Sequence, residues 1–201
     1  MVSQDLINAV NGYENYIELH GIDENVIDAY IMAAETAINV EKDLEYGLEL
    51  TKRVKEIIEK YVMDLTGGTI WDLEKYSQDN DVQISLIEQY YSVLKMESYE
   101  LFESFIFYME KLRHYKKRFY QPRRKTLKVV VQDLMDLDAG KYKFYGLSMP
   151  SRVGKSTICI FFLAWVAMKR PNSHNAMGGH SGILAKGFYK ELLNLMTTPE
   201  Y

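Results

Sequence analysis

Apolar positions recur every three or four residues along the first half of the chain. Leu6, Ile7, Val10, Tyr13 and Ile17 trace a weak helical pattern over residues 1–20, which Gly21-Ile22-Asp23 interrupts, leaving Asp23 as a cap for the next helix. Residues 24–65 are helical in pattern throughout and contain no proline. Within them Val40, Leu44, Thr51, Val54, Ile58, Tyr61 and Leu65 form an apolar stripe opposite Lys and Glu, and Thr66-Gly67-Gly68 ends it. Such a stripe is the inner face of a helical bundle or a coiled-coil seam, and Gly47 and Thr51 make a poor seam, so the bundle is favoured. Residues 71–76 begin another helix, residues 77–81 break it, and residues 82–113 read as one or two helices. Tyr90, Tyr91, Tyr99 and Tyr108 recur there at helical spacing, as packing residues do, rather than as a stacking platform for bases.

The pattern changes after residue 125. Residues 126–138 predict a helix through Leu127, Val130, Val131, Leu134 and Leu137, closed by Ala139-Gly140. The text LKVVVQDLMD resembles a strand ending in an acid, but Asp133, Asp136 and Asp138 continue at helical spacing. Residues 142–149 predict a strand. The apolar run 158–168 predicts a buried helix, too short for a bilayer span of ~20 residues, ending at Lys169-Arg170 before Pro171. Residues 173–178 predict a second short strand, 179–182 a turn, and 183–196 a final helix. His180 falls in that turn, with no partner residues to make it a catalyst. Strand–helix–strand–helix is the opening of a parallel α/β sheet with a right-handed crossover.

Chemistry enters at the junction of the first strand and its helix. Gly154-Lys155-Ser156-Thr157 is the core of a phosphate-binding loop. Glycine lets the backbone approach phosphates closely, and the N–H groups at the start of a helix point at them. Ser151, Val153 and Gly154 supply loop backbone, Lys155 reaches β- and γ-phosphates, Ser156 ligates Mg²⁺, and Thr157 is available to the α-phosphate. The general pattern GxxxxGK[ST] wants glycine at position 149, where this chain has Met149 followed by Pro150.

Charge sharpens the picture. The chain of 201 residues carries a net charge of −4. Residues 111–128 hold nine of the 24 basic residues and no acid, leaving 15 for the rest of the chain against all 28 acids. A basic run with Tyr115, Phe119 and Tyr120 interleaved can track a phosphate backbone and stack on a base. It can equally be a solvated charged face. The single Cys159 excludes a disulfide framework and suits a reducing cytoplasm, and the polar, acidic N-terminus is unlike a signal or transit peptide.

The departure from the general motif carries a resemblance. Met149-Pro150-Ser151-Arg152-Val153-Gly154-Lys155-Ser156 resembles the deviant Walker A of tailed-phage terminase large subunits, commonly PPRxGKS, in which an arginine stands three residues before the lysine, as Arg152 does. Arg118-Phe119-Tyr120-Gln121-Pro122-Arg123-Arg124 resembles the RFYxPRR segment of the same family, and residues 180–201 are similar to its second strand–helix unit. The resemblance covers roughly the C-terminal half, residues 99–201. It implies an α/β fold: a helical N-terminal region, residues 1–115, then residues 116–201 as the start of a P-loop NTPase (ASCE/RecA-like) parallel sheet, truncated. It implies ATP and Mg²⁺ as cofactors and a motor that packages viral double-stranded DNA. Partners would be the small terminase subunit and the portal or procapsid, in a homo-oligomeric ring in the bacterial host cytoplasm, with no membrane.

By the same resemblance Arg152 is placed as an arginine finger in cis, and Tyr120, Gln121, Arg123 and Arg124 are candidates for adenosine and phosphate contacts. DNA contact and ATP contact both stay open for residues 111–128, with ATP preferred for Arg123 and Arg124. No apolar strand ending in Asp-Glu comes after the phosphate loop, and no acidic nuclease cluster does either, so the sequence predicts an N-terminal fragment that binds nucleotide without turning it over. Two alternatives stand beside it. One is another P-loop ATPase of helicase or AAA type; the other is a non-enzymatic helical adaptor for DNA or capsid components.

Overall fold

Short polar side chains set where the N-terminal helices begin. Ser3 accepts from the Leu6 N–H at the start of α1 (Gln4–His20), Asp23 from the Val26 N–H at 2.8 Å before α2 (Glu24–Glu35), and Asp43 from the Tyr46 N–H at 3.2 Å before α3 (Leu44–Thr66). After these come α4 (Ile70–Tyr76) and α5 (Asp81–Glu97). The structure, a computed structural model, describes residues 2–76, 81–111, 113–179 and 181–197. It divides into two compact units, residues 1–97 and 98–201, whereas the sequence places its change of character at 115/116.

In the first unit α2, α3 and α5 pack against one another. Ile27, Val54, Ile58, Val62, Leu86 and Val93 have no exposed surface, so the middle of the stripe is the inner face of a bundle. Its ends are not: Val40, Leu44 and Leu65 are exposed. Tyr90 and Tyr91 are buried with their hydroxyls on Glu59 (3.0 Å) and Glu74 (2.8 Å), as packing tyrosines should be. The buried Glu97 carboxylate takes Lys55 at 2.6 Å, joining α3 to α5.

The helix expected over residues 24–65 is in fact two helices. After α2 the chain widens into one π-turn, Thr36–Val40, in which the Glu41 N–H reaches the Thr36 carbonyl, and Lys42 then takes φ 57°. Asp43 restarts the helix. The reversal brings Ile38 onto Gly47, where a Cβ would collide with its side chain, so glycine permits the close approach.

The second unit contains α6 (Phe102–Glu110), two 3₁₀ turns (Tyr115–Lys117 and Gln121–Arg123), α7 (Arg124–Asp138), α8 (Lys155–Lys169) and α9 (Gly182–Met196). Phe102, Ile106, Tyr120, Leu127, Ile158, Phe161 and Trp165 fill its core. The Trp165 indole donates to the Ser98 carbonyl at 2.8 Å. The C-terminus of α8 is tied to that of α7 by Arg170 on Asp138 (2.7 Å), and Lys169 lies 4.4 Å from the Trp165 ring centroid.

The expectation of an α/β fold with a parallel sheet is overturned. The fold is all-helical, and among the described residues there is no strand. Residues 144–149 form no regular element, because a strand exists only by exchanging backbone hydrogen bonds with a neighbour. Among the described residues neither 142–149 nor 173–178 has such a neighbour. The first segment is held by a side chain instead: the Tyr145 hydroxyl donates to Asp133 on α7 at 2.8 Å, while Phe144 stands 84% exposed. His180 and residues 198–201 lie outside the described residues. No helix among the described residues is long and apolar enough to cross a membrane.

If Asp43 restarts a helix, Asp43→Ala should destabilise the protein by about 0.5–2 kcal/mol in urea titration. In an unbroken helix the same change would be neutral or stabilising, because alanine is the better helix former.

Candidate phosphate-binding site

The site is built from α6 outward. That helix, FESFIFYME, is apolar apart from Ser104 and two acids, Glu103 and Glu110, which stand two turns apart and so share a face. A carboxylate buried in such a helix has to find donors. Glu110, 1% exposed, finds backbone: Oε1 accepts the N–H of Phe119 (2.6 Å) and Tyr120 (3.2 Å), and Oε2 accepts that of Gln121 (3.3 Å). Burial pushes its pKa up, against the pull of those three N–H groups. The buried Arg118 guanidinium donates Nε to the Glu110 carbonyl at 3.2 Å and to that of Arg113 at 3.3 Å.

Glu103 takes the side chains of the same segment. It accepts the Tyr120 hydroxyl at 2.5 Å and Arg124 through both oxygens, at 2.8 and 3.1 Å. Burial works to raise the Glu103 carboxyl, but the bonds from Arg124 and Tyr120 win and hold it below the ordinary glutamate value. Burial, then the Glu103 carboxylate, push the Tyr120 phenol well above its usual range. The Arg124 guanidinium also lies over the Phe107 ring, 5.5 Å from its centroid.

With the segment fixed, Phe119 becomes a wall for the loop after residue 149. Gly154 sits at φ 97°, a conformation that favours glycine, and a Cβ there would press on the Phe119 ring, 3.1 Å from Cδ2. Arg152 also takes a left-handed conformation, φ 67°, which is strained for a side chain of that size. Lys155 opens α8, and its Nζ donates to the Met149 carbonyl at 2.5 Å, closing the loop on itself. Across from it Arg123 donates to the Phe119 carbonyl at 3.0 Å. Between them lies a cavity of about 300 Å³ lined by Phe119, Arg123, Arg152, Gly154, Lys155, Ser156 and Thr157.

The structure therefore brings together six of the residues singled out in the sequence: Arg123, Arg152, Gly154, Lys155, Ser156 and Thr157. Ser151 and Val153 belong to the loop but not to the lining. Tyr120 is fully buried, the Gln121 backbone is held by Glu110, and Arg124 is held by Glu103. Phe119, Glu103 and Glu110 organise the site and were not read as such from the sequence. The available signal was a pair of acids in an otherwise apolar helix, which requires donors from elsewhere in the chain.

Three cations, two hydroxyls and the first-turn N–H groups of α8 suit a polyanion. The lining contains no carboxylate. Among the described residues no group of three or more His, Cys, Asp or Glu could hold a metal ion. Ser156 offers one hydroxyl, so a Mg²⁺ ion at this position would take the rest of its shell from phosphate oxygens and water, as Mg²⁺ commonly does. No family model, curated protein or solved structure matches the chain.

Because the folded-state pKa of Glu103 is depressed, its contribution to stability is present at neutral pH and is lost as pH falls through that value. The stability difference between wild type and Glu103→Gln, from urea titrations, should be widest near neutral pH and close as pH falls below the ordinary glutamate range. A difference that is constant with pH would mean that the Arg124 and Tyr120 contacts do not favour the ionised carboxylate.

Proposed function

We propose that this chain binds a nucleoside triphosphate with Mg²⁺ at the loop preceding α8 and does not hydrolyse it, as the ATP-binding part of a terminase-like large subunit in viral DNA packaging. The observation that carries the binding is the convergence of Arg123, Arg152 and Lys155 with the α8 N-terminus on one cavity. The setting rests on the resemblance of residues 118–124 and 149–156 to the terminase segments. With it come the proposed partners: double-stranded DNA, a small terminase subunit, a portal or procapsid and further copies in a ring, all in the bacterial host cytoplasm.

In this reading Lys155 leaves the Met149 carbonyl for a phosphate oxygen, and the α8 N–H groups donate to the same chain of phosphates. Arg152 and Arg123 flank it, with Arg152 suited to the terminal phosphate. The metal, held through Ser156 and the phosphates, would neutralise charge between phosphoryl groups. What these residues provide is grip. Activation of water needs a base within hydrogen-bond reach, and the polar side chains of the lining are cations and hydroxyls.

A second reading, a non-enzymatic helical adaptor for DNA or capsid components, is favoured by the all-helical architecture and by the basic residues between 111 and 128. DNA binding by the full chain that weakens steeply with salt and ignores both ATP and Lys155→Ala would support it. A helicase- or AAA-type ATPase is built on a parallel sheet, as the terminase ATPase is, and the described residues contain no strand, so the absence of the sheet does not separate these two readings.

Calorimetry with millimolar ATP–Mg²⁺ should show binding that Lys155→Ala weakens about tenfold or more, as expected for the loss of a charged hydrogen bond of ~1.5–3 kcal/mol. No steady-state phosphate release should accompany it. Turnover that Lys155→Ala abolishes would replace a binding protein with an enzyme.

A further inference from the structure

We infer that the cavity recognises the polyphosphate chain and is indifferent to the base attached to it, an inference that rests on the phosphate reading of the site. Most of the segment expected to hold adenine is committed elsewhere, and the Gln121 side chain is not part of the cavity lining. Tyr120, the aromatic residue among the expected adenosine contacts, has no exposed surface and spends its hydroxyl on Glu103. Arg124, whose guanidinium could stack or donate to a base edge, is held on Glu103 by two bonds and lies over Phe107. The backbone N–H groups of residues 119–121, the donors most suited to reading a base edge, all point into the Glu110 carboxylate.

What that segment leaves in the cavity is Arg123 and the Phe119 ring. The ring is itself engaged, packed edge-on with Phe161 at 5.0 Å between centroids and set against Gly154. Arg123 is a cation on the same cavity as Arg152 and Lys155, and a guanidinium so placed suits phosphate oxygens. One buried carboxylate, Glu110, and one half-buried carboxylate, Glu103, thus turn the face that would have read a base into a wall and one more positive charge. Discrimination between bases requires hydrogen bonds that one base makes and another leaves unpaired, and these donors and the stacking ring are already used.

The test is calorimetric competition on the full chain with the Mg²⁺ complexes of ATP, GTP, CTP and inorganic tripolyphosphate, for wild type and Arg123→Gln. The four ligands should bind wild type within about threefold of one another, and Arg123→Gln should weaken all four by a common factor, about tenfold for a charged hydrogen bond. ATP binding tenfold or more tighter than CTP or tripolyphosphate would overturn the inference while leaving the phosphate site standing. So would an Arg123→Gln loss confined to ATP. Binding by none of the four would remove the phosphate site and this inference together.

Discussion

A carboxylate taken out of water has to be given donors, and the second half of this protein is arranged around how Glu110 meets that demand. Three consecutive backbone N–H groups, from Phe119 to Gln121, turn toward it. That single arrangement sets the path of the chain between α6 and α7, turns Tyr120 into the core and lays Phe119 beside Gly154. Glu103, two turns earlier on the same helix, fixes the side chains that Glu110 leaves loose. The cavity is a product of these constraints, because Phe119 and Arg123 come to it along the path they impose.

Much of the helical layout was legible locally. Periodicity and capping residues located α7, α8 and α9 to within a few residues, since those signals lie within the helices themselves. The sheet was misread for a reason of the same kind. An apolar segment leading into a glycine-containing turn predicts a strand, but a strand also needs a neighbour, and no local pattern reports one. The break between α2 and α3 was invisible because the π-turn and Lys42 carry neither glycine nor proline to mark it.

The candidate site divides along the same line. The GKST tetrapeptide and Arg152 could be named from spacing, because the loop and the helix it starts are contiguous in the chain. That Arg123 would share their cavity, and that Tyr120 and Arg124 would be turned away from it, depended on two acids of α6 whose partners lie between 9 and 21 residues further along. An acid in an apolar helix announces that it will be satisfied, without saying by what.

The contact between Lys155 and the Met149 carbonyl has a consequence of its own. An ammonium that already holds a neutral oxygen gains little by exchanging it for another neutral one, whether from water, a sugar or an amide. A charged oxygen adds the direct attraction of opposite charges, which no carbonyl offers. The loop's own carbonyl therefore acts as a threshold, and ionisation of the incoming group decides whether the lysine changes hands.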